Sequence, residues 1–231
     1  MRSVDLEESS VRELNGELHR LTPETNETRW VIEHPQGKHA IACGLDAPVT
    51  VEVKGHVGYY CAGMNKRATI VIDGNAGVGV AENMMSGEVR VKGDASQAAG
   101  ATGVGGLLVI EGNASARCGI SMKGIDIVVK GSIGPMSAFM AQAGTLIVFG
   151  DAGEALGDSI YEARLFVRGS VASLGADCIE KPLSDEDKVI LLGVLERAGL
   201  SAGSDGGPDG FRLYGSARKL YHFHIDNVDA Y

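Results

Sequence analysis

Few side chains in this sequence are spaced for chemistry. Cys43, Cys61, Cys118 and Cys178 could serve as nucleophiles or metal ligands, but none belongs to a CxxC pair, so the local spacing of a zinc or iron–sulfur site is missing. They read as reduced, mostly buried thiols. His222 and His224 would share one face of a strand, yet no third ligand lies nearby in sequence. Asp177, Cys178 and Glu180 cluster, which leaves a Cys–His nucleophile open beside the buried-thiol reading. Asp158, Glu162 and Asp177 are the carboxylates that could act in general acid–base catalysis; Asp158 and Asp177 stand 19 residues apart. The fragment GNAGVG, 74–79, has the outline of a dinucleotide loop, but such a loop must open a helix, and VAENMMSGEVRV follows it instead. There is no GK[ST] phosphate loop, and Arg2 after Met1 leaves no N-terminal cysteine or threonine nucleophile.

What must position these residues is legible in the composition. The chain has 231 residues and a formal net charge of -9, which argues against a nucleic-acid or anionic-membrane partner. No apolar run reaches the ~18 residues of a membrane span, and MRSVDLEESS lacks the apolar segment of a secretory signal, so a cytoplasmic location is expected. Glycine is the anomaly, with 33 residues against 6 prolines. Much of it sits beside Val, Ile and Leu, as in ordered turns between short strands.

A glycine recurs every 19 residues, at Gly55, Gly74, Gly93, Gly112, Gly131, Gly150 and Gly169. Four and two residues before each anchor stand Val51 and Val53, Ile70 and Ile72, Val89 and Val91, Leu108 and Ile110, Ile127 and Val129, Leu146 and Val148, and Leu165 and Val167. A spacing of two puts each pair on one face of a strand. One residue after the anchor come polar turn-formers, with His56 the outlier; seven after it come Ala62, Ala81, Gly100, Gly119, Ala138, Gly157 and Ala176, as though something approaches too closely for a larger side chain. This period predicts an all-β fold, a parallel β-helix of seven 19-residue coils, with right-handed winding expected from the crossover rule. At ~4.8 Å per coil the rod is roughly 30 Å long. Cys61 and Cys118 fall three coils apart, too far to bridge.

Helices flank the solenoid. SSVRELNGELHRL starts with a Ser10/Glu13 capping box and carries an apolar stripe of Val11, Leu14, Leu18 and Leu21. SDEDKVILLGVLERAGL is capped by Ser184 and ended by Gly199. The expected organisation is an N-terminal helix and cap at 1–36, the solenoid at 37–183, and a C-terminal helix, linker and docked tail at 184–231.

The outward strand positions divide the rod. Lys54, Asp73, Lys92, Glu111 and Lys130 alternate in sign up the stack, a register device. Val109, Val128, Ile147, Phe149 and Phe166 instead form an apolar outer patch on the later coils, too large to leave bare. Two covers remain open here: the 185–198 helix, or a partner subunit for which these five residues are the candidate interface.

The repeated KGxxG, EGNAS and FGDAG turns, with LFVRGSVASLGADCIEKPL, resemble the GXGXG β-helix family: the C-terminal domain of the glutamate synthase large subunit, with a related solenoid in one component of formylmethanofuran dehydrogenase. With VRELNGELH in front and YGSARKLYHFHIDNVDAY at the end, nearly the whole chain is similar to the stand-alone, GlxC-type form, the GXGXG subunit of N-methylglutamate synthase. The resemblance implies a non-catalytic structural subunit that joins a class II glutamine amidotransferase-like subunit to an FMN-binding synthase-like subunit. The reaction implied for the complex is methylamine plus L-glutamate giving N-methylglutamate plus ammonia. FMN, with an iron–sulfur cluster as a further expectation, belongs to a partner; no catalytic, cofactor-binding or metal residue carries over to this chain. A scaffold in another glutamate synthase or amidotransferase-type complex, and an autonomous solenoid enzyme using Asp158, Glu162 and Asp177, are the alternatives.

Overall fold

The computed structural model describes residues 1–200 and 209–218. In chain order the elements are β1 (Arg2–Asp5), α1 (Val11–Leu18), β2 (Arg29–Glu33), β3 (Thr50–Val53), β4 (Thr69–Ile72), β5 (Glu88–Val91), β6 (Leu107–Ile110), β7 (Lys123–Val129), β8 (Ala143–Val148), β9 (Arg164–Val167), β10 (Cys178–Lys181), α2 (Asp185–Arg197) and β11 (Arg212–Ser216). The strands form one sheet in the order β1-β2-β3-β4-β5-β6-β7-β8-β9-β11-β10, parallel from β1 to β9.

The 19-residue period is the register of this sheet: Val51 pairs with Ile70, Ile70 with Val89, Val89 with Leu108, Leu108 with Ile127, Ile127 with Leu146 and Leu146 with Leu165. All fourteen inward Val, Ile and Leu side chains are fully buried. Each contributes about 1.5–3 kcal/mol of burial, so the core is a stack of identical apolar layers. A second ladder of single bridges runs two residues past the anchors, from Val57 through Ala76, Ala95, Ala114, Ile133 and Ala152 to Val171.

The anchor glycines stack on one another. Gly93 N donates to Gly74 O at 3.1 Å, Gly112 to Gly93 at 3.1 Å, Gly131 to Gly112 at 2.9 Å and Gly150 to Gly131 at 2.9 Å. A Cβ on Gly112 would sit 2.8 Å from Gly93 O, and one on Gly74 2.7 Å from Gly55 C. The coils close only if these positions carry no side chain.

The residue after each of the first six anchors has a definite task. Its side chain accepts the backbone N–H of the equivalent residue one coil later: Asn75 N to His56 Nδ1 at 2.9 Å, Asp94 N to Asn75 Oδ1 at 2.9 Å, Asn113 N to Asp94 Oδ1 at 2.7 Å. The series goes on with Ser132 N to Asn113 Oδ1 at 2.9 Å, Asp151 N to Ser132 Oγ at 2.9 Å and Ser170 N to Asp151 Oδ1 at 2.7 Å. His56 is no outlier: an imidazole nitrogen accepts as an amide or carboxylate oxygen does.

Opposite the main strands, each coil turns through three left-handed residues at alternate positions. In the early coils these are Ala40, Ala42 and Gly44, then Tyr60, Ala62 and Met64; every coil to Ala155, Gly157 and Ser159 repeats the pattern, with φ between +51° and +72°. The alternation sends successive N–H groups to opposite neighbours. Tyr60 N reaches Val78 O in the next coil, Ala62 N reaches Ile41 O in the preceding one, and Met64 N reaches Glu82 O in the next. Left-handed backbone costs a non-glycine residue about 1–2 kcal/mol, which these inter-coil hydrogen bonds offset. The middle column points into the core, which confines it to alanine or glycine.

The ladder starts before residue 37. Trp30 pairs with Val51 and Ile32 with Val53, both fully inward, and β1 pairs parallel with β2. This first coil is two residues longer than the rest, so Trp30 and Ile32 fall outside a 19-residue count. At the other end β11 enters the sheet between β9 and β10, antiparallel to both. Within the expected tail, residues 209–218 are thus sheet and turn; His222 and His224 lie outside the described residues.

Candidate interaction surfaces

The apolar outer patch is covered by the chain itself. Ser184 Oγ accepts from Asp187 N at 3.2 Å while Asp187 Oδ2 accepts from Ser184 N at 3.1 Å, a reciprocal cap that starts α2. Left-handed Gly199 follows its end. Leu191, Val194, Leu195 and Ala198 then pack, together with Phe211 and Leu213, on Val109, Val128, Ile147 and Phe166. Phe149, half-buried, meets Phe211 edge-to-face at 5.3 Å and lies under the Arg168 guanidinium at 4.4 Å. Four of the five candidate interface residues, Val109, Val128, Ile147 and Phe166, are therefore interior and Phe149 is half-buried, so the reading that offered the patch to a partner subunit is corrected. The physical reason is that α2 is short enough to lie across the later coils and apolar where it touches them. Ion pairs from Arg164 to Asp187 at 3.1 Å and from Arg197 to Asp126 fix its two ends.

Asp158 and Asp177 do not share a column. The last coil is one residue short: Ala152 still bridges Val171 at the usual spacing, but Leu156 bridges Leu174. Asp158 Oδ2 consequently accepts from Ala176 N at 3.2 Å, Asp177 slips out of line to pair with Arg218, and Gly175 occupies the close-approach position expected for Ala176. Glu162 lies apart in the groove described below.

The thiols are free, and burial pushes them up, Cys118 to about 12 and Cys178 to about 11, with Cys61 raised further. A thiol held protonated is a poor nucleophile. Cys43 Sγ, half-buried, donates to Tyr60 O at 2.6 Å. Among the described residues one mixed cluster, Asp5, Glu7 and His34, has ligand atoms within 4.8 Å of one another. Two of its members already hydrogen-bond to each other, with His34 Nδ1 3.0 Å from Asp5 Oδ2.

Two surfaces stand out. The first is a row of exposed apolar side chains on the turn side of the rod: Tyr59, Tyr60, Met64, Met85, Val104, Met140 and Tyr161. The fold does not require Met64, Met85, Val104 or Met140 to be apolar. The coil positions of Met64 and Met140 are filled elsewhere by Asn83, Thr102, Ser121 and Ser159, and those of Met85 and Val104 by Lys66, Lys123 and Gln142. The strand period does not disclose this row, although the turn columns of the same repeat carry it in the sequence.

The second is a groove of about 610 Å³ where β8, β9, β10 and β11 meet, lined among others by Tyr161, Glu162, Arg164, Lys181, Tyr214 and Gly215. It exists because β11 folds back beside β9, which a repeat count cannot foresee.

A one-sheet solenoid, parallel through β9, with α1 against its first coil and α2 over its outer face, defines the class. The chain belongs to the GlxC family: it is 60% identical to Protein GlxC of Rhizobium meliloti (strain 1021) over 231 residues, with 100% of each sequence covered. It is also similar in structure to a chain of the formyltransferase/hydrolase complex (FhcABCD) from Methylorubrum extorquens, solved by X-ray crystallography in complex with methylofuran. The TM-score is 0.55 at 21% identity, covering 92% of this chain and 90% of that one, a likeness of fold. No family model matches the sequence.

Proposed function

We propose that the chain is a non-catalytic assembly subunit of a glutamate-synthase-like enzyme complex, N-methylglutamate synthase, that converts methylamine and L-glutamate to N-methylglutamate and ammonia. In this reading it joins an amidotransferase-like subunit to an FMN-binding synthase-like subunit, which carries the flavin. The supporting observation is the exposed row from Tyr59 to Tyr161. Methionine and tyrosine are the side chains that interfaces favour, and Met64, Met85, Met140 and Tyr161 stand at positions where the coil itself accepts Asn, Ser, Thr, Lys or Gln. That the fold also occurs in a chain of the FhcABCD complex is in keeping with an assembly role.

The test is affinity purification of the native complex followed by identification of its subunits. The two larger subunits are expected to co-purify with the wild-type chain and to be lost from a Met64→Asp/Met85→Asp variant that remains folded. Methylamine-dependent turnover by the isolated chain would sink the proposal. Retention of both subunits by the variant would remove its structural basis.

A further inference from the structure

The groove between β9 and β10 holds two charges of opposite sign that are not used by the fold. Lys181 and Glu162 both line it, and among the described residues neither forms an ion pair with the other or with any third group. The other charged side chains of the lining are engaged: Arg164 with Asp187 and Glu186, and Arg218 with Asp177. Lys181 extends over Gly215, its Nζ 3.8 Å from the place a Cβ would take there. Gly215 lies in an ordinary strand, and an added Cβ would make only contacts of 3.4 Å or more. Neither backbone nor sterics therefore calls for glycine; its effect is to leave the floor of the groove open. Tyr161 supplies exposed apolar ring surface beside the charges. At about 610 Å³ the space is in the range of small-molecule sites.

A ligand that meets both charges must carry an anion and a cation of its own, on a frame small enough for the groove. We propose that the groove binds a zwitterion of the α-amino-acid class, its carboxylate held by Lys181, its ammonium by Glu162 and its side chain against Tyr161. Tyr161 belongs both to this groove and to the exposed row assigned to assembly, but Lys181 and Glu162 belong to the groove alone: a chain that assembles normally and binds no amino acid overturns this proposal alone.

Calorimetric titration of the full chain tests it. L-Glutamate, L-glutamine and L-leucine are the probes, with glutarate (no ammonium) and 1-aminobutane (no carboxylate) as controls. Saturable binding of at least one amino acid at a single site is expected, with both controls about tenfold weaker or worse, since each loses one charge-assisted contact. Lys181→Met and Glu162→Gln should each weaken binding by a similar factor. Gly215→Val should abolish it while leaving the circular dichroism spectrum and melting temperature of the chain unchanged. No saturation by any probe at about 10 mM overturns the proposal, as does wild-type affinity in both the Lys181 and Glu162 variants. If Gly215→Val unfolds the chain, the two charge variants decide alone.

Discussion

Arg90 and Ala198 are joined across 108 residues: Nη2 of the arginine donates to the alanine carbonyl at 2.9 Å, at the point where α2 ends. Arg90 also pairs with Glu88 at 3.1 Å and Glu111 at 2.9 Å. It occupies the same outward column as Val109, Val128, Ile147 and Phe166, one coil before the apolar run begins. The helix therefore covers the sheet as far as the surface is apolar and is capped by the first charged rung. Replacing Arg90 with methionine should cost about 1–2 kcal/mol, a partly exposed charge-assisted hydrogen bond. Hydrogen exchange should quicken in the last turn of α2 and not in β5. Equal exchange in wild type and variant would mean that the contact is idle.

Ile147→Asp places a carboxylate under α2, where the wild-type side chain is fully buried. Urea denaturation should show a loss of about 3 kcal/mol or more. A variant chain that is as stable as wild type but fails to assemble would restore the partner-interface reading of this patch.

Two glycine-to-alanine changes should act in opposite directions. Gly112→Ala drives a methyl against the Gly93 backbone and should destabilise by about 2–4 kcal/mol. Gly16→Ala, in α1 with nothing within 4 Å, should stabilise by up to about 1 kcal/mol. Melting curves of the pair distinguish a stacked glycine from a merely helical one.

His34 titrates above an ordinary histidine because it hydrogen-bonds to Asp5, while Asp5 is lowered by the Glu7 N–H and then by His34. The histidine's contribution to stability is full below about pH 6.5 and is lost as pH rises through its raised folded value. The aspartate's is present above about pH 3.9 and is lost as pH falls through its lowered folded value. The pair thus contributes most between those limits. Asp5→Asn should return the His34 midpoint, followed by NMR of the ring protons, toward the ordinary value; an unmoved midpoint would exclude the Asp5 contact as its cause.

What the sequence disclosed follows from repetition. Fourteen inward residues at fixed spacing imply parallel strands in register, and a capping box with an apolar stripe implies a helix, because each is a local rule applied again and again. Trp30 and Ile32 escaped because their coil is two residues longer. Asp158 and Asp177 were misaligned because the last coil is one residue shorter, a slip that no anchor glycine follows to reveal. The insertion of β11 between β9 and β10, and with it the groove at Lys181 and Glu162, depends on a chain reversal after α2 that has no period. The three left-handed columns were visible only as one column of Ala and Gly, since Tyr60, Arg117 and Met136 show no residue preference that betrays their backbone.

The row of acceptors from His56 to Asp151 has a direction. Each rung is completed by the coil that follows it, so the side chain is always in place before the N–H that needs it. A nascent chain leaving the ribosome from its N-terminus presents, at every stage, a finished edge with lone pairs waiting and no stranded donor of this row. Acceptors left alone are tolerated better than stranded donors. Growth from the N-terminal end is then the order of assembly that leaves no donor of this row waiting at any stage.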